Sequence, residues 1–165
     1  MCGRYSITVD ERTLADRFGA RFVSGHFEPN YNAAASQQLP IISTFATDNI
    51  VLARWGFVPE EWASTRLHPQ LNARVETAAE KPMFEGAFRT RRCLVLADGF
   101  YEWKTENRSK QPYRFALKSG EPFAMAGICS RDLDDNDSFN FAILTMIAND
   151  VVRGKLRPLR DPKEV

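Results

Sequence analysis

Hydrophobic and polar positions alternate with a period of two along much of this chain, and only briefly with the period of a helix. Tyr5 to Val9 alternates as a strand. Asp10 then stands as an N-cap before a helix over about Glu11–Phe18, which sets Leu14, Ala15 and Phe18 on one face. Residues 19–40, with Gly25, Pro29 and Pro40, read as irregular. Pro40–Phe45 and Ile50–Trp55 read as strands joined by a polar turn, Ala46-Thr47-Asp48-Asn49. Residues 56–72 read as a loop, and Glu76–Phe88 as a short helix broken near Pro82. Cys93–Ala97 is apolar without interruption, which predicts a buried strand. It ends at the turn signal Asp98-Gly99 and runs into Phe100–Lys104. Pro112–Leu117, Phe123–Cys129 and Phe139–Thr145 read as further strands, with a turn at Lys118–Glu121 and an acidic loop at Asp132–Asp137. Many strands with few short helices predict an α+β or mostly-β domain with a mixed sheet.

A length of 165 residues suggests one domain, enough to bury roughly two-thirds of its unfolded surface. Hydrophobic residues make up 44% and charged residues 26%, as in an ordinary soluble protein. No apolar run is long enough to span a bilayer, and Met1–Tyr5 lacks the pattern of a signal peptide. The expectation is a cytoplasmic protein with no membrane partner. The net charge of +1 means that any contact with nucleic acid must rest on locally focused charge. Cys2, Cys93 and Cys129 are too few and too scattered for a disulfide framework. His26 and His68 lie far from any cysteine pair, so neither a metal site nor a cofactor is expected.

Four places carry candidate chemistry. Cys2 follows Met1, and a side chain this small permits Met1 to be trimmed. The product is an N-terminal 1,2-aminothiol, with an amine pKa of about 7.7–8 and a thiol near about 8.5. Such a pair converts an aldehyde first to a Schiff base and then to a five-membered thiazolidine. The plainer reading makes Cys2 a small buried hydrophobe. In Asn72-Ala73-Arg74-Val75-Glu76-Thr77, Asn72 suits a sugar or aldehyde oxygen and Arg74 a phosphate. The plainer reading is a helix start capped by Asn72 with Glu76 in its first turn. In Asp98-Gly99-Phe100-Tyr101-Glu102-Trp103, alternation puts Glu102 on the face of Phe100, which tilts the carboxylate towards a buried acid/base role rather than a solvated one. Trp55-Gly56-Phe57-Val58-Pro59 suits either stacking of an unpaired base or core packing. Arg4, Arg89, Arg91 and Arg92 add positive charge.

Together these segments resemble the SRAP (SOS response-associated peptidase) family, related to the eukaryotic 5-hydroxymethylcytosine-binding, ES-cell-specific protein. The resemblance rests on Met1-Cys2-Gly3-Arg4-Tyr5, Tyr31-Asn32-Ala33, Trp55–Pro59, Asn72–Thr77, Arg92-Cys93-Leu94 and Asp98–Trp103, in that order. It implies one compact domain with a mixed, largely antiparallel, β-barrel-like core. It implies a protein of the DNA damage response that acts on abasic sites in single-stranded DNA, often at a junction with duplex; a monomer is expected. Cys2 would be the crosslinking nucleophile, Asn72 would hold the cysteine and the opened sugar, and Glu102 would move protons. Arg4 and Arg74 would hold phosphates, and Trp55 would shape the groove. Family members are also thought to process their own N-terminus.

The sequence departs from the family pattern at Ala35, where a proline is usual. It also departs at residues 148–158, where a histidine is usual and none occurs. Against the family's usual length, the expectation is a single domain over residues 1–165 without part of the usual C-terminal region, whether by internal deletion, by truncation or by omission of a stretch from the sequence. Two other classes of function remain open: an N-terminal-nucleophile peptidase that uses Cys2 and Glu102, and a non-covalent reader of modified or single-stranded DNA.

Overall fold

The computed structural model describes residues 2–23, 26–62, 68–106, 109–132, 135–150 and 152. Met1 and most of 151–165 lie outside the described residues, including the greater part of the stretch compared with the family's histidine motif. Eleven strands and three α-helices are described. They are β1 Arg4–Ile7, α1 Glu11–Phe18, β2 Arg21–Phe22, β3 Asn30–Ala33, β4 Gln38–Ser43, β5 Ala46–Trp55, β6 Asn72–Arg74, α2 Val75–Ala78, α3 Pro82–Thr90, β7 Arg92–Ala97, β8 Gly99–Glu106, β9 Ser109–Phe115, β10 Phe123–Asp132 and β11 Asp135–Thr145. No described helix is long and apolar enough to cross a membrane.

Two sheets form the body. The larger runs β2-β5-β4-β7-β10-β11-β6, and a further parallel pairing of β5 with β11 closes five of its strands into a mixed barrel. The smaller runs β3-β1-β8-β9. Leu39, Ile41, Ile50, Trp55, Val95, Leu96 and Phe141 fill the core that the strands enclose, and Tyr5 and Ile7 of β1 join it from the second sheet. Closure removes the sheet edges that would otherwise stay unpaired.

Several elements form where the pattern places them. Asp10 caps α1 by accepting from Thr13 N at 2.8 Å, and Leu14 is fully buried beneath it. Other elements differ. The turn expected at 46–49 lies instead at Thr44–Phe45, because Ala46 already pairs with Ser43 and Asn49 with Arg21. The span 19–40 is not irregular: it carries β2, β3 and the start of β4. β2 and β3 are too short, and Tyr31 and Asn32 too exposed, to show an alternation. Pro82 does not break one helix but opens a second, at a position where its missing N–H leaves no bond unmade. β10 and β11 extend into the stretch expected as an acidic loop, as far as Asp132 and from Asp135, and residues 133–134 lie outside the described residues. Leu94, within the apolar run of β7, faces outward.

Asp98-Gly99 is not a turn. Asp98 N donates to Ser6 O, and β8 begins directly at Gly99. The Asp98 side chain is 3% exposed. It accepts from Ser6 Oγ at 2.7 Å, from Thr8 Oγ1 at 2.6 Å, from Thr8 N, and from Arg114 Nη2 at 2.8 Å. The Arg114 guanidinium lies across Gly99: a Cβ there would stand 2.6 Å from Arg114 Nε, so a larger residue would displace the guanidinium that bonds Asp98. Burial pushes the Asp98 carboxyl up, but the bonds from Thr8, Ser6 and Arg114 outweigh it and hold the group below its ordinary range. This cluster locks β1 to β8 and β9, and so fixes the strand that Cys2 precedes against the strand that carries Glu102.

Candidate functional site

Cys2 lies just before β1 and is 7% exposed. Its Sγ donates to Arg4 O at 3.5 Å. Burial, and then the charge of Glu102, push the thiol up to about 11. At neutral pH the thiol is therefore protonated. β1 pairs antiparallel with β8 in the register Arg4 to Tyr101 and Tyr5 to Phe100, so the chain leading into β1 runs alongside Glu102.

Asn72 comes from the other sheet. β6 pairs parallel to β11, with Asn72 opposite Ile143. The carbonyl of Leu71, its neighbour, accepts from Trp55 Nε1 at 2.9 Å and from Ile143 N at 3.0 Å. So anchored, Asn72 donates through Nδ2 to the backbone carbonyl of Cys2 at 2.9 Å. Its Oδ1 is buried and has no partner. Asn72 does not cap a helix: Arg74 occupies the N-cap of α2 without a side-chain cap bond.

Cys2, Phe100 and Glu102 line one cleft of about 350 Å³, together with Ile143 and Thr145 at the end of β11 and the segment from Met146 to Asn149. Phe100 and Glu102 thus share a face, as alternation predicts. The cleft is apolar on the β11 side and acidic at Glu102, so a small carbonyl compound entering it meets a carboxylate and a thiol.

The remaining expected residues fall elsewhere. Arg74 is exposed and lines a neighbouring cavity of about 220 Å³ with Glu76, Thr145, Met146 and Ile147. Arg4 pairs with Tyr101 and shares its face, opposite the face of Phe100 and Glu102, and its Nη1 donates to Asn32 Oδ1 at 3.0 Å. Trp55 is a correction. It is 0% exposed, packed between Tyr5 at 5.2 Å and Phe141 at 6.3 Å, and cannot stack on a base. Its part in the site is indirect, through the Leu71 carbonyl beside Asn72. Arg89 and Arg91 are paired with Glu85 and Glu61, each at 3.0 Å, so they add little free charge. His26 sits beside Glu11 and Glu28, and neither it nor His68 is among the residues lining the cleft. Cys93 and Cys129 are free and buried.

Sequence reasoning missed Asp98 and the segment after β11. Ser6 in β1 and Thr8 just after it, small polar residues two apart, hint at a partner within the fold. Nothing in the sequence links that partner to Asp98.

The whole ordered set of motifs now stands on one frame. The sequence matches the family profile described as "SOS response associated peptidase (SRAP)" over residues 1–158. The chain belongs to the SRAP family. Among curated relatives, it is 38% identical over 134 residues to the abasic site processing protein YoaM of Bacillus subtilis, a match covering 78% of this chain and 59% of YoaM. It is 32% identical over 140 residues to the abasic site processing protein HMCES of Xenopus tropicalis, covering 68% of this chain and 42% of HMCES. The chain thus spans about half the length of these two SRAP relatives. A crystal structure of a protein from Bacteroides thetaiotaomicron superposes with a TM-score of 0.78 at 28% identity, over 92% of this chain and 71% of that one. The barrel and its flanking sheet are therefore the SRAP fold.

Proposed function

We propose that this protein captures abasic sites in single-stranded DNA covalently, as a thiazolidine on Cys2. The observation that supports this most is the convergence of three distant segments at Cys2: Cys2 and Glu102 line one cleft, and Asn72 is bonded to the Cys2 carbonyl. SRAP relatives named as abasic site processing proteins supply the substrate class.

Removal of Met1 frees the Cys2 α-amine. That amine is largely neutral slightly above its pKa of about 7.7–8, whereas the thiol is not ionised, so nitrogen attacks first. Its lone pair adds to the aldehyde carbon of the ring-opened sugar. Glu102 takes a proton from the attacking nitrogen and delivers it to the resulting hydroxyl, which leaves as water, and a neutral Schiff base remains. The Cys2 sulfur then adds to the imine carbon, its proton passing by way of Glu102 to the ring nitrogen. One water is lost and nothing is oxidised or reduced. Asn72 holds the Cys2 backbone, and its unpartnered Oδ1 is an acceptor for the amine or for a sugar hydroxyl. Arg74 and Arg4 bind flanking phosphates as bidentate forks, Arg4 on exchanging its bond to Asn32. The raised thiol favours this order over a peptidase, in which thiolate must attack at the outset. The reading implies a monomer working on DNA in the cytoplasm without a metal or cofactor.

Cys2→Ser separates the two covalent steps. Serine keeps the amine but closes the ring poorly. With abasic single-stranded DNA the variant should give little stable product on a denaturing gel, and a strong band after borohydride reduction of the trapped imine. Wild type should give its band without reductant. A Cys2→Ser band that is strong and stable unreduced contradicts ring closure by sulfur.

A further inference from the structure

The segment following β11 forms one wall of the Cys2 cleft, yet its own apolar side chains do little to hold it there. Met146 is 76% exposed and Ile147 69% exposed. A strap whose large apolar groups face solvent gains little from packing. It is, however, tied to α2: Ile147 N donates to Glu76 Oε1 at 3.1 Å. Glu76 stands two residues after Arg74 and four after Asn72, on the same β6–α2 unit that reaches Cys2. The bond lies at the small cavity that Glu76, Arg74, Met146 and Ile147 line, next to the cleft itself.

We propose that Glu76 is a positioning residue that latches the strap 146–149 against the Cys2 cleft through this carboxylate–amide bond. The latch governs access to Cys2 and forms the wall against which a bound sugar is held. The second role rests on the capture chemistry proposed above; the first does not. The carboxylate oxygen acts here as a hydrogen-bond acceptor, and loss of the bond removes a contact that ties the strap to α2.

The test compares Glu76→Ala with Glu76→Gln, which keeps an Oε1 acceptor without the charge. Glu76 is exposed, so both variants should fold, which equal melting temperatures would verify. The first readout uses no DNA: the rate at which iodoacetamide labels Cys2 at alkaline pH, followed on the N-terminal peptide by mass spectrometry. Glu76→Ala should label about tenfold faster than wild type, and Glu76→Gln close to wild type. The second readout is crosslinking to abasic single-stranded DNA. Glu76→Ala should lower the rate at saturating DNA by about tenfold while leaving the half-saturating DNA concentration nearly unchanged, and Glu76→Gln should restore the rate. Equal labelling of wild type and Glu76→Ala overturns the latch. So does a Gln variant that behaves as the Ala variant, because charge and not the hydrogen bond would then be responsible. Faster labelling of Glu76→Ala with no crosslinking by any of the three proteins supports the latch and removes the capture reading alone.

Discussion

Replacing Glu102 by glutamine is expected to move two reactions of Cys2 in opposite directions. Crosslinking should slow by about 10²–10⁴-fold, the usual contribution of a positioned acid/base group. Glutamine can neither protonate the departing hydroxyl nor take the thiol proton. Alkylation of the thiol should become faster. Burial is the larger cause of the raised Cys2 pKa of about 11, and the Glu102 charge adds to it. Removing a negative charge next to the sulfur favours the thiolate, so the pKa falls and the thiolate fraction rises at every pH below it. Burial remains, so the thiol should still titrate above the ordinary value of about 8.5. The pH dependence of iodoacetamide labelling measures the shift, and a gel time course measures the crosslinking rate. A variant that slows both reactions, or neither, contradicts the roles assigned to Glu102.

The second large effect is one of stability. Asp98→Ala should destabilise the fold by about 3 kcal/mol, near the lower end for breaking a buried ion pair because Arg114 is partly solvated. The deletion orphans donors from Ser6, Thr8 and Arg114 around a carboxylate that is 3% exposed. For a domain of this size that corresponds to a melting temperature lower by roughly 6–12 °C. The pH dependence has a definite sign. The Asp98 carboxyl is held below its ordinary range in the folded state, so its contribution is complete above the unfolded value of about 3.9 and disappears as pH falls through the folded one. Wild type should therefore lose stability in that acid window faster than Asp98→Ala. Urea unfolding of both proteins at neutral and acid pH checks this, and a loss below about 1 kcal/mol at neutral pH would reduce the cluster to a surface ion pair.

The parts of the fold that were legible in the sequence are those whose signal is local. The α1 cap at Asp10, the strand before it, and the shared face of Phe100 and Glu102 depend on neighbours one to four residues away. Elements set by distant pairing were hidden. The polar residues 46–49 look like a turn but are drawn into β5 by pairing with Arg21 and Ser43. Asp98-Gly99 also looks like a turn, yet its glycine makes room for an arginine fifteen residues further on. At the site, chemistry suggested Cys2, Asn72 and Glu102, but each alone had a plainer reading. For Asn72 that reading was a helix cap, and it gives way to the bond with the Cys2 carbonyl. Trp55 went the other way: the aromatic suited to a base is enclosed in the core, because closure of the barrel by β5 and β11 surrounds it. Glu76 could not have been singled out, since its partner is a backbone amide more than seventy residues away.

The most direct measurement is a denaturing gel of the purified protein, its N-terminus shown by mass spectrometry to begin at Cys2, with a labelled single-stranded oligonucleotide carrying one abasic site. An intact oligonucleotide and the Cys2→Ala variant run beside it. Covalent capture predicts a slow-migrating band for wild type with the abasic strand alone. No band from folded protein with a free Cys2 amine, or a band of equal strength from Cys2→Ala, would contradict it.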